Sequence, residues 1–581
     1  MIHPVNMSRD AHKNERLIIY QVLPRLLTNS TVDCVPFGSL GRNGSGKMNH
    51  FTPTLLKSIH ALGVNCIWYT GIIENATKSD FTHFGIPADN PNVVKGEAGS
   101  PYAIKDYYDV NPCLAENVAD RMTEFQNLVN RTHAEGMKVI IDFVPNHTAR
   151  QYRSDVSPEG EEDFGVCDDA TMMFAPSNNY YYITSQKFVP PVADHPETEK
   201  YHEFPAKATG NDCFTAFPGV NDWYETVKLN YGHDYGNGSD HFVPIPDTWE
   251  KMFRILRFWA NKGVDGFRCD MVFMVPIAFW HWVIPRLRME FPDLLFIGEI
   301  YDVSLYRAFL DYGCFDYLYD KVNLYDTLVG IERGIVSAAR LTGAWQTVDG
   351  IGDRMLNFLE NHDEVRFSSV AYASDPANVV PSLVVSAMMG KGPFMIYFAQ
   401  ELGEPAEDNE GFAGNNHRTS IFDYWSYDTM RRWNNSGKWD TTLLSAQERW
   451  LRNIYSRVLH LCNESRPLRE GQFFDFMYVN LSNPGLDPHS VFAFMRYIRE
   501  EEAVLVIANF SGAPAAVRIN IPDLAFDMAS LPEGSVIAED LLSGIKVPLT
   551  LSRTLPALVE VGSKTASVLS FSLRDHVSGL S

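Results

Sequence analysis

The chain has 581 residues, 45% apolar and 21% charged, with a formal net charge of −23. That is the composition of a soluble globular protein larger than one average domain, and no stretch approaches the roughly 18 uninterrupted apolar residues of a membrane-spanning helix. The acidity argues against a nucleic-acid or anionic-membrane partner, either of which wants a basic surface, and suits a neutral substrate.

The N-terminal run MIHPVNMSRDAHKNERL lacks the apolar core of a signal peptide. The expectation is a cytoplasmic protein, or a periplasmic or secreted one whose signal has been removed. From residue 16 onward, short β-rich runs alternate with amphipathic helices, the pattern of a parallel sheet. The candidate strands are 16–24, 64–70, 138–144, 264–270, 294–300, 315–320, 355–360 and 393–399. Helical periodicity fills 119–136 and 246–263, the second with Pro and Asp at its start and Gly at its end. Eight strands separated by helices predict a (β/α)₈ barrel over 14–147 and 246–445.

Between the third and fourth strands lie about a hundred residues (148–245) rich in Pro, Asn, Asp, Gly and Tyr, far beyond the roughly 2–6 residues usual for such a loop. They predict an inserted domain on the catalytic face. A helix over 446–463 and the alternating run VFAFMRYIREEEAVLVIANFS (491–511), with its charged turn, open a β-rich C-terminal domain over 446–581. The eight cysteines show no CxxC and no metal-like spacing. Cys66 and Cys269 fall in predicted strands as core thiols; Cys167 and Cys213 are near enough in sequence to form a disulfide.

In such a barrel, functional side chains sit at the C-terminal strand ends. Strand three ends in DFVPNH (Asp142, Asn146, His147), strand four in FRCD (Arg268, Asp270), strand five in GE (Glu299) and strand seven in ENHDEVR (Asn361, His362, Asp363, Arg366). Residues two apart on a strand share a face, so Arg268 and Asp270 lie side by side. Their pairing is either a structural ion pair or a device that keeps Asp270 ionised. Three carboxylates and an arginine around one mouth fit retaining glycoside hydrolysis, which needs an anionic nucleophile and a protonated acid. On that reading Arg268 lowers the pKa of Asp270, and desolvation behind the apolar run LLFIG raises that of Glu299. Asp363 is then the third acid, gripping ring hydroxyls, and His147 and His362 are neutral hydrogen-bonding groups. Asp142 is read as a brace of the strand-three turn.

DFVPNH, GVDGFRCD, FIGEI and FLENHD, in this order on strands three, four, five and seven, resemble the four signature regions of the α-amylase family (glycoside hydrolase family 13). SPYAIKDYY (100–108) resembles the segment whose tyrosine stacks on the sugar, here Tyr102, and GPFMIYFAQELGE (392–404) resembles the eighth strand. The resemblance implies Asp270 as nucleophile, Glu299 as general acid/base and Asp363 as transition-state stabiliser. Tyr102, His147, Arg268, His362 and Arg366 line or organise the same subsite. It implies the insertion as domain B, the tail as an antiparallel β-sandwich, and no cofactor for the chemistry. A structural calcium would take Asn146 and the backbone carbonyl at position 274. Many family members carry Lys-His where this chain has Phe273 and Met274, so recognition on the reducing-end side must differ.

The leading expectation is therefore a retaining α-glycosidase acting on starch, maltodextrins or pullulan, with an oligo- or polysaccharide as its partner. Transglycosylation or exo-action on oligosaccharides at the same site is the alternative within enzymes. A non-catalytic glucan-binding relative stands outside them and is disfavoured by the intact acids. A metal-dependent barrel hydrolase is disfavoured by Arg268 beside Asp270. The oligomeric state is left open.

Overall fold

The computed structural model describes residues 15–193 and 199–574. The first 14 residues of the N-terminal run read for a signal, residues 194–198 of the insertion and the last seven residues of the tail lie outside the described residues. All eight candidate strands form one closed barrel. They are β1 (Ile18–Val22), β2 (Cys66–Tyr69), β3 (Lys138–Phe143), β4 (Gly266–Cys269), β5 (Leu295–Gly298), β6 (Tyr317–Tyr319), β7 (Met355–Phe358) and β8 (Phe394–Tyr397). Neighbours pair in parallel, and β1 closes the ring against both β2 and β8.

Strand alternation divides the barrel's side chains between two layers. Ile19, Cys66, Trp68, Ile140, Ile297, Tyr319, Leu356 and Met395 fill the interior. Ile18, Tyr20, Ile67, Val139, Ile141, Phe267 and Phe296 face the helices outside. The helix Asp247–Asn261 shows how an outer element is held: Trp249, Met252, Leu256 and Trp259 recur on one face and are buried. Trp259 Nε1 also donates to the Tyr107 carbonyl at 2.7 Å.

One element departs from the sequence reading. An antiparallel hairpin, Ile73–Asn75 with Ile104–Val110, stands between β2 and β3. Its second strand reads as a run of Lys, Asp and Tyr and carries no alternation, which is why periodicity misses it. The helix Ala446–Glu464, with a complete capping box from Ser445 and Glu448, packs on the barrel. Arg452 donates to Glu401 at 2.7 Å, and Gln400 to the Tyr455 hydroxyl at 2.9 Å. The helix read over 446–463 thus forms as expected, with one face against the barrel.

Beyond it, six antiparallel strands run in the order Gln472–Asp475, Val491–Ile498, Glu502–Asn509, Thr565–Ser572, Gly534–Asp540 and Lys546–Leu551. The pair Ala515–Ile519 and Ala557–Val561 packs beside them. Cys66 and Cys269 are buried thiols, as expected. Cys167 and Cys213 are free, so that disulfide is not formed; the Cys167 thiol instead donates to Glu162 at 3.2 Å. Among the described residues no helix is long and apolar enough to cross a membrane.

Candidate active site

The cross-strand register builds the centre of the site. Arg268 on β4 lies opposite Asp142 on β3, so both side chains enter the barrel at one level. Arg268 is fully buried, and its guanidinium is shared by three carboxylates. Nη1 reaches Asp270 at 2.9 Å and Asp142 at 3.3 Å, and Nη2 lies 2.7 Å from Glu299. Nε donates to the Tyr319 hydroxyl at 3.2 Å. The rings of Trp68, Tyr102 and Tyr319 surround the cation at 5.2, 5.3 and 5.6 Å, an arrangement an arginine stabilises by cation–π attraction.

Glu299 is held by more than its apolar strand. The Tyr301 hydroxyl donates to Oε1 at 2.6 Å, and the Met271 amide to Oε2 at 3.0 Å. Met271 adopts a left-handed backbone, φ 43°, a conformation that costs a bulky residue energy and aims its N–H at the carboxylate. The expected lowering of the Asp270 pKa by Arg268 is not what the site gives. Burial, and then the neighbouring Glu299, push the Asp270 carboxyl well above the usual carboxylate range, against the pull of Arg268. The guanidinium that Asp270 shares with its neighbours does not offset the desolvation of Asp270 or of Asp142.

Asp363 is the opposite case. Its side chain is 42% exposed at the mouth, and His362 lies 3.0 Å away. Burial of the surrounding site opposes ionisation, but His362, then Arg268 and Arg418, hold the carboxyl down to about 2. His362 is fixed by Gln21 at 2.8 Å and by the Tyr102 hydroxyl at 2.7 Å, with the Tyr102 ring stacked on it. Burial and then Lys228 lower His147 to about 3, so it is neutral at any working pH. Asp142 braces the floor, accepting from Trp68 Nε1 at 3.0 Å.

The structure thus gathers Tyr102, His147, Arg268, Asp270, Glu299, His362 and Asp363 at one barrel end. It does not bring Arg366 to the surface of that pocket. Arg366 is wholly buried, donating to Glu360 at 2.8 Å and to the Phe398 carbonyl at 2.9 Å. Its contacts hold the turn after β7, where Glu360 also accepts from the Phe367 amide at 2.7 Å. Gln21, Tyr301 and Tyr319 are partners that the strand-end reading passed over. Gln21 and Tyr319 sit at the ends of β1 and β6, so the same rule extended to those strands finds them.

The family model for the α-amylase catalytic domain matches residues 21–293, a span that includes Arg268 and Asp270 and ends before Glu299 and Asp363. The relatives are distant but long. Alpha-amylase 3 of Dictyoglomus thermophilum is 25% identical over 435 residues, covering 71% of this chain and 74% of that one. An α-glucosidase of Apis mellifera is 23% identical over 586 residues, covering 87% and 88%. Nearly half of the chain thus matches the catalytic domain of the α-amylase family of glycoside hydrolases, and relatives named for that family and for α-glucosidases run along most of the rest. The fold agrees: the crystal structure of a maltogenic α-amylase from Thermotoga neapolitana superposes with a TM-score of 0.60 at 18% identity, covering 96% of this chain and 99% of that one.

For the calcium that the family resemblance implies, the residues do not fit. Asn146 Oδ1 accepts from Lys228 Nζ, and the Met274 carbonyl accepts from the same atom at 3.1 Å. Asp212 pairs with it at 2.7 Å. The oxygens expected to hold a divalent cation are taken by an ammonium, which would repel one; Asn146 is a lysine's partner here.

A second acidic cluster joins the hairpin to Asp155 beyond it. Glu74, Asp106, Asp109 and Asp155 each bring a carboxylate oxygen within 4.8 Å of the others. Arg121 pairs with Asp109 and Asp155, and Lys105 lies 3.9 Å from Glu74. Burial, only partly offset by Lys105, raises Glu74 from 4.5 to about 9, and burial raises Asp106 from 3.8 to about 7. An acid whose folded pKa exceeds its unfolded one holds more protons folded, so its contribution is full below the unfolded value and is lost as pH rises through the folded one. Thermal stability is therefore expected to fall between about pH 5 and 9. Glu74→Gln and Asp106→Asn should each flatten that decline in melting curves taken across the range.

Proposed function

We propose that the protein hydrolyses α-glucosidic bonds in α-glucans such as starch, maltodextrins and pullulan, with retention, through a covalent glycosyl-enzyme intermediate. The observation that carries the reading is one guanidinium spanning Asp270 and Glu299 at 2.9 and 2.7 Å. That span fits the short separation of retaining enzymes, about 5–5.5 Å. Burial and the neighbouring Glu299 push the Asp270 carboxyl up, so a charged nucleophile there leans on Arg268.

In the proposed reaction the Asp270 carboxylate attacks the anomeric carbon as its bond to the leaving oxygen breaks, and Glu299 gives that oxygen its proton. Glu299 then takes a proton from water as the water oxygen attacks the same carbon and frees Asp270. Asp363, ionised and open to the pocket, grips ring hydroxyls and favours the cation-like transition state; Tyr102 and His362 offer it a stacked, hydrogen-bonded wall. Phe273, half-buried, faces the Tyr301 ring at 6.4 Å beside Glu299. This aromatic pair favours a second reading, in which a bound sugar replaces water as acceptor and the enzyme transglycosylates.

The test is a chromatographic time course on soluble starch, pullulan and maltoheptaose, with Asp270→Asn as control. Early mixed-length products from starch are expected of an open cleft, and glucose or one fixed short product of a closed pocket. Products longer than the substrate at high maltodextrin concentration would mark transfer. No product from any of the three would overturn the α-glucan assignment.

A further inference from the structure

Lys228 is a lysine where a lysine is costly. It lies on the strand Thr226–Lys228 of the insertion, and its side chain is 3% exposed. A buried ammonium must find partners for its three N–H groups. It finds three: the Asn146 side-chain oxygen, the Met274 carbonyl and the Asp212 carboxylate. Each belongs to a different part of the site. Asn146 precedes His147, which pairs with Lys228 itself across the small ladder His147–Ala149 with Thr226–Lys228. Met274 ends the turn that begins at Asp270. Asp212 sits in the insertion at φ 59°, with its side chain 35% exposed.

We propose that Lys228 supplies from the chain itself the cation that ties the insertion to the ends of β3 and β4, so that neither the fold nor the active site depends on calcium. The argument rests on donor count and charge. Calcium collects six to eight oxygens at 2.3–2.6 Å. Here two neutral oxygens and one carboxylate match an ammonium's three donors and its single charge, leaving none of its hydrogens unused. The tether also explains how His147 keeps its place. Its ladder partner is pinned at the far end, and its chain neighbour Asn146 is pinned as well. Asn146 Nδ2 donates to the Gly210 carbonyl at 2.7 Å, which draws the insertion's loop to the same point. The inference goes beyond the proposed reaction and does not depend on which glucan is cleaved.

The test uses the full chain, with thermal unfolding and rate measured after excess EDTA and after addition of millimolar calcium chloride. The wild type is expected to keep its Tm and rate in both, and to purify without stoichiometric calcium by elemental analysis. A Tm that falls under EDTA and returns with calcium would overturn the proposal. The same arm run on Asp155→Asn removes any contribution from the acidic hairpin cluster. Lys228→Met, which keeps the stem and removes the charge, is expected to lose several degrees in every buffer; an unchanged Tm would also overturn it. Lys228→Ser frees the three oxygens and is expected to recover part of its loss with calcium but not with potassium. No recovery would reduce Lys228 to an ordinary buried ion pair. Should the lysine variants fail to fold, Asp212→Asn at the exposed edge is the milder probe. It is expected to lower Tm without creating sensitivity to EDTA, and a Tm equal to the wild type would count against the tether.

Discussion

Asp270→Asn is expected to remove starch-cleaving activity by roughly 10⁴-fold or more, the scale on which deleting a covalent nucleophile costs other enzymes, and to do so without loss of fold. Burial and Glu299 make a charged Asp270 unfavourable in the ligand-free site; a neutral amide of the same shape relieves that repulsion. The variant should therefore melt at the wild-type temperature or above it while its rate collapses. Glu299→Gln is expected to differ in kind. Losing a general acid costs about 10²–10⁴-fold where the leaving group needs a proton, so maltodextrin cleavage should suffer in full. An aryl glucoside whose leaving group is stable as an anion should be cleaved far better, at least in its first step. Steady-state rates on both substrates, with circular dichroism and Tm for each variant, check the pair. Equal losses on both substrates for Glu299→Gln would remove it as the acid, and near-normal turnover by Asp270→Asn would end the proposed mechanism.

The barrel was legible because its eight strands are short apolar runs with helices between, and each run fills either the interior or the helix-facing layer. Ile67, Val139 and Phe267 outside, with Ile140 and Ile297 inside, are the kind of residue that hydrophobic spacing finds. The hairpin carrying Asp106 and Asp109 was not legible, since a strand made of charges and tyrosines has no apolar period to detect. Much of the candidate site was readable from strand ends, because placement depends on where a strand stops and that is marked by the change from apolar to polar residues. Its electrostatics were not. From FRCD alone Arg268 has one visible partner, Asp270; the register against Asp142 and the approach of Glu299 from β5 exist only once the barrel closes. The same limit hid Lys228. Nothing in TVK distinguishes a surface lysine from one whose ammonium stands among three oxygens from distant segments.

Arg268→Met should be the most destabilising single change at the site. It removes the cation shared by Asp142, Asp270 and Glu299 while keeping the aliphatic stem against Trp68, Tyr102 and Tyr319. Taking one partner from a buried ion pair typically costs about 3–5 kcal/mol, and here three acids lose their partner at once. Arg268→Lys should fall between, because a point charge cannot span Asp270 and Glu299 as a planar fork does. Calorimetric unfolding measures the loss, and a second substitution shows its origin. If stranded carboxylates are the cost, Asp142→Asn in the Met background should restore part of the stability, whereas the same change in the wild type should destabilise by leaving Trp68 and Tyr102 with a poorer acceptor. A double variant no better than Arg268→Met would assign the loss to packing. The pH dependence provides a separate check. Without the guanidinium the folded-state pKa values of Asp142 and Asp270 rise further above their unfolded values, so the deficit against wild type should be small below about pH 3, where carboxylates are protonated in both states. It should then widen as pH rises through the folded-state pKa values. A deficit constant across that range would mean that charge is not what Arg268 contributes.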